Sequence, residues 1–240
     1  MSFSLECIKV KRTGFLPVFI GGGIVAAAFP IINIAVRSEQ FLSQQGSPVQ
    51  ILINANWQMM AMLNVLLIVA GACLLYHTEY DNNALQKMKS LPISENSVFL
   101  GKAVLTVIVS LFVHVIEAGA VTLCICHWFE IESSIWGELC RYFGYSFFLL
   151  LPCVILSLLI SEACKNMWIS LGIGVVCVFT ATMLPTTDFF LSLFPFAMPF
   201  QVFSSMGITQ SMHFIYATIV EIVVLCLAQL IFVKVRRSFE

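Results

Sequence analysis

The sequence contains about six stretches of roughly 20 mostly apolar residues, long enough to cross the hydrocarbon core of a bilayer as helices. They run from Phe15 to Ala35, Ile53 to Tyr76, Val98 to Cys126, Tyr142 to Ile160, Met167 to Leu184 and Phe214 to Val233. Backbone N–H and C=O groups cannot stay unpaired in hydrocarbon, so each stretch is predicted to be helical. The polar inventory agrees: 60% of the chain is hydrophobic and only 10% is charged, too little charge to cover a water-facing surface. The expected fold is an all-α integral membrane protein, one transmembrane domain over residues 1–240 with about six spans.

Two segments fall outside the spans. In residues 1–12, Phe3, Leu5, Ile8 and Val10 are interspersed with Glu6, Lys9, Lys11 and Arg12, which predicts an interfacial helix leading into the first span. A cleavable leader ending near Ala28 is the competing reading of this region. The apolar run continues through Pro30 to Ala35, which favours an uncleaved span. Residues 185–212 are apolar but interrupted by Pro185, Pro195 and Pro199, and Phe189–Phe200 is too short to cross. This stretch is expected to be a re-entrant helical hairpin before the last span.

Charge sets the expected orientation, because Lys and Arg collect in cytoplasmic loops. With both termini cytoplasmic, that side holds Lys9, Lys11, Arg12, Lys87, Lys89, Lys102, Lys165, Lys234, Arg236 and Arg237, against Arg37 and Arg141 outside. Counting Phe189–Phe200 as a seventh span would move Lys234, Arg236 and Arg237 outside. Trp57, Trp128 and Trp136 fall near outer ends of spans and Trp168 near an inner one, as interfacial aromatics do. A net charge of −1 speaks against nucleic acid as a partner.

Enzyme chemistry finds no constellation. His114-x-x-Glu117 and His127-x-x-Glu130 lack the rest of an HExxH site, and there is no GxSxG elbow, so no catalytic residue is assigned. The nine cysteines show no CxxC spacing, most sit in apolar runs as small packing residues, and no metal site is expected. A disulfide between Cys126 and Cys140 stays open. Ionisable groups inside spans are costly, which makes His114, Glu117 and Glu221 candidates for a substrate cavity or an ion-coupling site, with structural pairing as the alternative. Asn54, Asn56 and Asn64 read as interhelical hydrogen-bond partners. Small residues at Gly22 and Ala26 in the first span, and at Gly172 and Gly174 in the fifth, permit close helix approach, within one chain or between two.

The loop after the second span is the most informative segment. Asp81 suits a helix start and Pro92 a stop. Between them Ala84, Leu85, Met88 and Leu91 share one face at helical spacing, predicting a short surface helix over 79–91 whose apolar stripe is covered by lipid headgroups or by a docked protein. Glu79, Leu85, Leu91-Pro92-Ile93-Ser94 and Gly101-Lys102 resemble the pattern in permease subunits of type-2 ABC exporters, and the lantibiotic-immunity branch in particular. The likeness extends to the amphipathic start, the Glu162–Asn166 turn and the Pro-broken hairpin. It implies that the loop is a coupling helix, with Glu79, Asp81, Ala84, Leu85, Met88 and Leu91 seated on an ABC ATPase subunit. It also implies a second permease, identical or related, meeting this one through the first and fifth spans. The chain has no GxxxxGK[ST] phosphate loop, so ATP and Mg are expected on the partner ATPase, with no cofactor on this chain. By this resemblance the chain sits in a bacterial cell membrane and expels an antimicrobial peptide. The rival expectation is an ion-coupled secondary transporter or channel using the intramembrane Glu and His residues.

Overall fold

The computed structural model describes residues 9–10, 13–80, 95–130, 135–164, 166–184, 188–203 and 208–239. Its elements are α1 (Phe15–Val36), α2 (Ser38–Leu42), α3 (Pro48–Tyr80), α4 (Glu95–Trp128), α5 (Ile135–Ala163), α6 (Met167–Met183), α7 (Phe189–Ser192), a 3-10 turn at Met198–Phe200, and α8 (Ile208–Phe239). Among the described residues there is no strand. Five helices, α1, α3, α4, α5 and α8, are long and apolar enough to span a bilayer. The sixth, α6, has 17 residues and reaches about 25 Å, a few ångströms short of the hydrocarbon thickness.

The helices outrun the apolar stretches that announce them. α3 starts at Pro48 and continues to Tyr80, and α8 takes in residues 208–212 and runs on to Phe239. Once a helix is nucleated each added residue gains a hydrogen bond, so polar flanks join it. Local chemistry fixes two starts. Ser47 Oγ accepts from Gln50 N at 3.3 Å, an N-cap with Pro48 at the first helical position. Asn166 Oδ1 accepts from Trp168 N at 2.9 Å and caps α6. Pro30 lies inside α1 and Pro152 inside α5, where each removes one ladder bond. α3 and α4 contain no interior proline.

α3 is the central helix, packing against α1, α4, α5 and α6, while α8 leans mainly on α5. Within the most apolar window of each, 61% of α3 is buried and 17% of α8. α8 is held at two places. Ser211, Phe214 and Thr218 are buried towards its start, Gln229 and Val233 towards its end, and no residue between Thr218 and Gln229 is buried. The uncovered faces of α1, α6 and α8 carry Ile24, Ile32, Val176, Met183, Val220 and Ile231, the surface a lipid-facing protein presents.

Several expectations fall outside the described residues: most of the interfacial segment 1–12, and Asp81, Ala84, Leu85, Met88 and Leu91 of the 79–91 helix. Glu79 belongs to the last turn of α3. In the 185–212 stretch, the described helical pieces before α8 are α7 and the 3-10 turn, and Ser192, Phe196, Ala197, Met198, Phe200 and Gln201 are buried.

Candidate functional site

The intramembrane ionisable residues do not converge. Glu117 is buried, accepting from Asn64 Nδ2 at 3.0 Å on Oε2, while its Oε1 has no partner among the described residues. His114, one turn earlier, faces a different helix. Its Nδ1 lies 3.0 Å from Ser110 O and its Nε2 3.3 Å from Ser146 Oγ, and the Phe147 ring stands edge-on at 5.7 Å. Glu221 is half-buried on α8, and its Oε2 is likewise without a partner among the described residues. Thus Glu117 ties α4 to α3, His114 ties α4 to α5, and Glu221 stands apart. Asn56 bonds Asn33 across α1 and α3, with Asn33 Nδ2 donating at 2.7 Å.

Two cavities lie elsewhere. A groove of about 830 Å³ between α1, α4 and α5 is lined by apolar side chains, among them Ile24, Ala27, Ile31, Val115, Leu123, Trp136 and Phe143. Ile24, Val115, Leu123 and Trp136 are themselves exposed, so the groove opens onto the lipid-facing surface. A smaller cavity of about 410 Å³ lies between α3, α6 and the 3-10 turn, with Asn54, Trp57, Gln58, Thr182, Phe200 and Val202 in its wall. Trp57 Nε1 donates to Pro199 O at 3.1 Å, anchoring the turn that closes it. His114, Glu117 and Glu221 line neither cavity.

A further polar cluster is one that sequence reasoning missed. Glu162, at the end of α5, is buried rather than displayed in a surface turn. Its Oε2 accepts from Gln229 Nε2 of α8 at 2.7 Å and from Tyr76 Oη of α3 at 3.2 Å. Its backbone oxygen accepts from Tyr80 Oη at 2.6 Å. Lys102 is wholly buried rather than a loop cation. Its Nζ donates to Leu75 O at 3.2 Å and stands 5.0 Å from the centroid of the Tyr76 ring. Beside these, Ser161 and Ser170 join α5 to α6 at 2.9 Å, with Cys73 of α3 3.3 Å from Ser170. Five helices, α3, α4, α5, α6 and α8, therefore meet in polar contacts next to the two ends of the 81–94 segment. The signal in the sequence was Gln229, an amide inside an otherwise apolar run.

The small residues are used largely within the chain. A side chain at Gly22 would strike Leu67, one at Gly174 would strike Val69, and Ala26 is buried. Gly172 is exposed with open space beside it. Cys126 and Cys140 are free thiols, so the disulfide left open by the sequence is not formed. Among the described residues no group of His, Cys, Asp and Glu has the makings of a metal site.

A family model described as ABC-2 family transporter protein matches residues 2–181, most of the chain. Neither a curated protein nor a solved structure matches it. The match spans α1 to α6 and so covers the helices that build the core and the polar cluster around Glu162, apart from Gln229. It identifies a membrane transport domain, distinct from the ABC ATPase subunit with which such permeases associate. A multi-pass, all-helical chain with this match belongs to the ABC-2 transporter family, as a permease of an ABC transporter.

Proposed function

We propose that this permease works in an ATP-driven exporter that removes a lantibiotic or similar amphipathic antimicrobial peptide from a bacterial cell membrane. The observation carrying this reading is the apolar groove between α1, α4 and α5. It opens sideways onto lipid-facing surface, with the Trp136 indole at its rim, and so suits a substrate whose apolar side chains arrive from the bilayer. The lysine and arginine distribution supports cytoplasmic termini. ATP and Mg reside on the ATPase, which docks on the 79–91 segment through Glu79, Asp81, Ala84, Leu85, Met88 and Leu91. A second permease, identical or related, completes the assembly, and the exposed stripe of α6 around Gly172 offers it a surface.

The test is survival of cells challenged with a peptide panel, with and without the permease and its ATPase. Changing Leu85 and Met88 to Asp is expected to abolish protection while the chain still inserts and accumulates. Unchanged protection removes the docking assignment. The second reading, ion-coupled transport, draws on the unpartnered carboxylate oxygens of Glu117 and Glu221. It requires transport that survives ATP depletion and collapses with the proton gradient, whereas the exporter requires the reverse.

A further inference from the structure

We propose that Glu162 is a positioning residue, whose carboxylate latches the end of α8 to the end of α3 leading into the docking segment, so that a pull on that segment frees α8. The proposal rests on the reading that the ATPase engages residues 79–91, and it adds the route by which the pull reaches another helix.

The geometry supplies the argument. Tyr76 and Gln229 donate to the same oxygen, Oε2 of Glu162, and Tyr80 holds the backbone oxygen of that residue. Tyr80 is the last residue of α3 and Glu95 the first of α4, so force applied between them enters α3 at the Tyr76–Tyr80 turn and α4 at Glu95. Moving that turn displaces the acceptor on which α8 depends. α8 has little else to hold it there. From Thr218 to Gln229 no residue between them is buried, and beyond Gln229 the buried anchor among described side chains is Val233. Gln229 Oε1 has no partner among the described residues, so the amide contributes its donor to Glu162 alone. Arg236 and Glu95 both lie within electrostatic reach of the carboxylate, one attracting and one repelling it, so the surroundings already oppose one another. The opposite end of α8 is fastened independently by Phe214 and Thr218, the latter 3.7 Å from Met198 Sδ. Releasing the latch therefore swings the end bearing Gln229 while the other end stays in place.

The experiment uses the permease co-purified with its ATPase in lipid nanodiscs. Amide hydrogen exchange is followed over residues 226–236, without nucleotide and with ATP trapped by vanadate. Wild type is expected to lose protection there on trapping. Gln229→Leu is expected to exchange at the trapped level without nucleotide, faster by roughly tenfold or more, the size of one hydrogen bond to a charged acceptor. The reciprocal exchange, Glu162→Gln with Gln229→Glu, reverses donor and acceptor and is expected to restore the nucleotide dependence, which a merely structural contact would not move. If Gln229→Leu fails to assemble, Gln229→Glu alone sets two carboxylates together and is read out identically. A nucleotide response that persists unchanged in Gln229→Leu or in Gln229→Glu alone, that fails to return in the reciprocal exchange, or that is missing from wild type with ATPase bound, overturns the latch alone. Failure of wild type to retain its ATPase overturns both the latch and the docking reading.

Discussion

Gly71 offers the sharpest test of how the core is built. It faces α1 with no side chain of its own, and a methyl group there would lie 2.8 Å from Phe19 Cζ and 3.0 Å from Phe15 Cε2, with Phe19 Cε2 nearer still. Both rings are fully buried and packed on each other, with centroids 4.7 Å apart, so neither swings aside without displacing its neighbours. Inserting a methyl into so close a contact costs about 2–3 kcal/mol, offset by up to about 1 kcal/mol from the better helix propensity of alanine. Gly71→Ala should therefore lose about 1–2 kcal/mol. Gly21 has open space around it, and Gly21→Ala should be neutral or gain up to about 1 kcal/mol. At about 2–4 °C per kcal/mol for a chain of this length, thermal melting of detergent-solubilised protein should separate the two variants by several degrees. Gly22→Ala meets only the flexible end of Leu67 and should fall between them. Coincident midpoints for Gly71→Ala and Gly21→Ala would refute the packing of α1 on α3 described above.

Asn64→Leu leaves the Glu117 carboxyl with neither oxygen bonded and should cost about 2–3 kcal/mol, whereas Asn64→Leu with Glu117→Leu should return to within about 1 kcal/mol of wild type. A double-mutant cycle on unfolding midpoints checks this. Trp57→Phe removes the donor to Pro199 O and should cost about 1–2 kcal/mol, measured the same way. A shift no larger than that of Trp168→Phe, at an exposed site, would count against the anchor. Ser47 both caps α3 and donates to Glu138 Oε2 at 2.6 Å. Ser47→Asp keeps the cap but opposes two carboxylates, so it should melt below Ser47→Thr by about 1 kcal/mol.

The membrane fold was legible because the demand to pair every backbone group in hydrocarbon acts on each apolar run separately. What depended on which helices meet was not. His114 and Glu117 are three residues apart and read as one polar patch. Yet three residues turn a helix through only 300°, and the remaining 60° aims the two side chains at different neighbours. Glu162 and Lys102 sit at the borders of apolar runs, where sequence alone favours solvated loops. Their burial follows from Gln229, Tyr76 and Leu75 arriving from other helices, one of them 67 positions along the chain. Gly22 and Gly174 announced close approach, but their partners Leu67 and Val69 both lie on α3, the helix whose central place no local pattern reveals.

α3 and α4 are each about 50 Å long by their residue counts, well beyond the thickness of the hydrocarbon layer. Neither has an interior proline at which to flex. A displacement imposed on one tip has nowhere to be absorbed along the shaft, so the far tip must tilt with it. Work done on one side of the membrane can then reappear on the other as leverage, with no intervening loop required to carry the message.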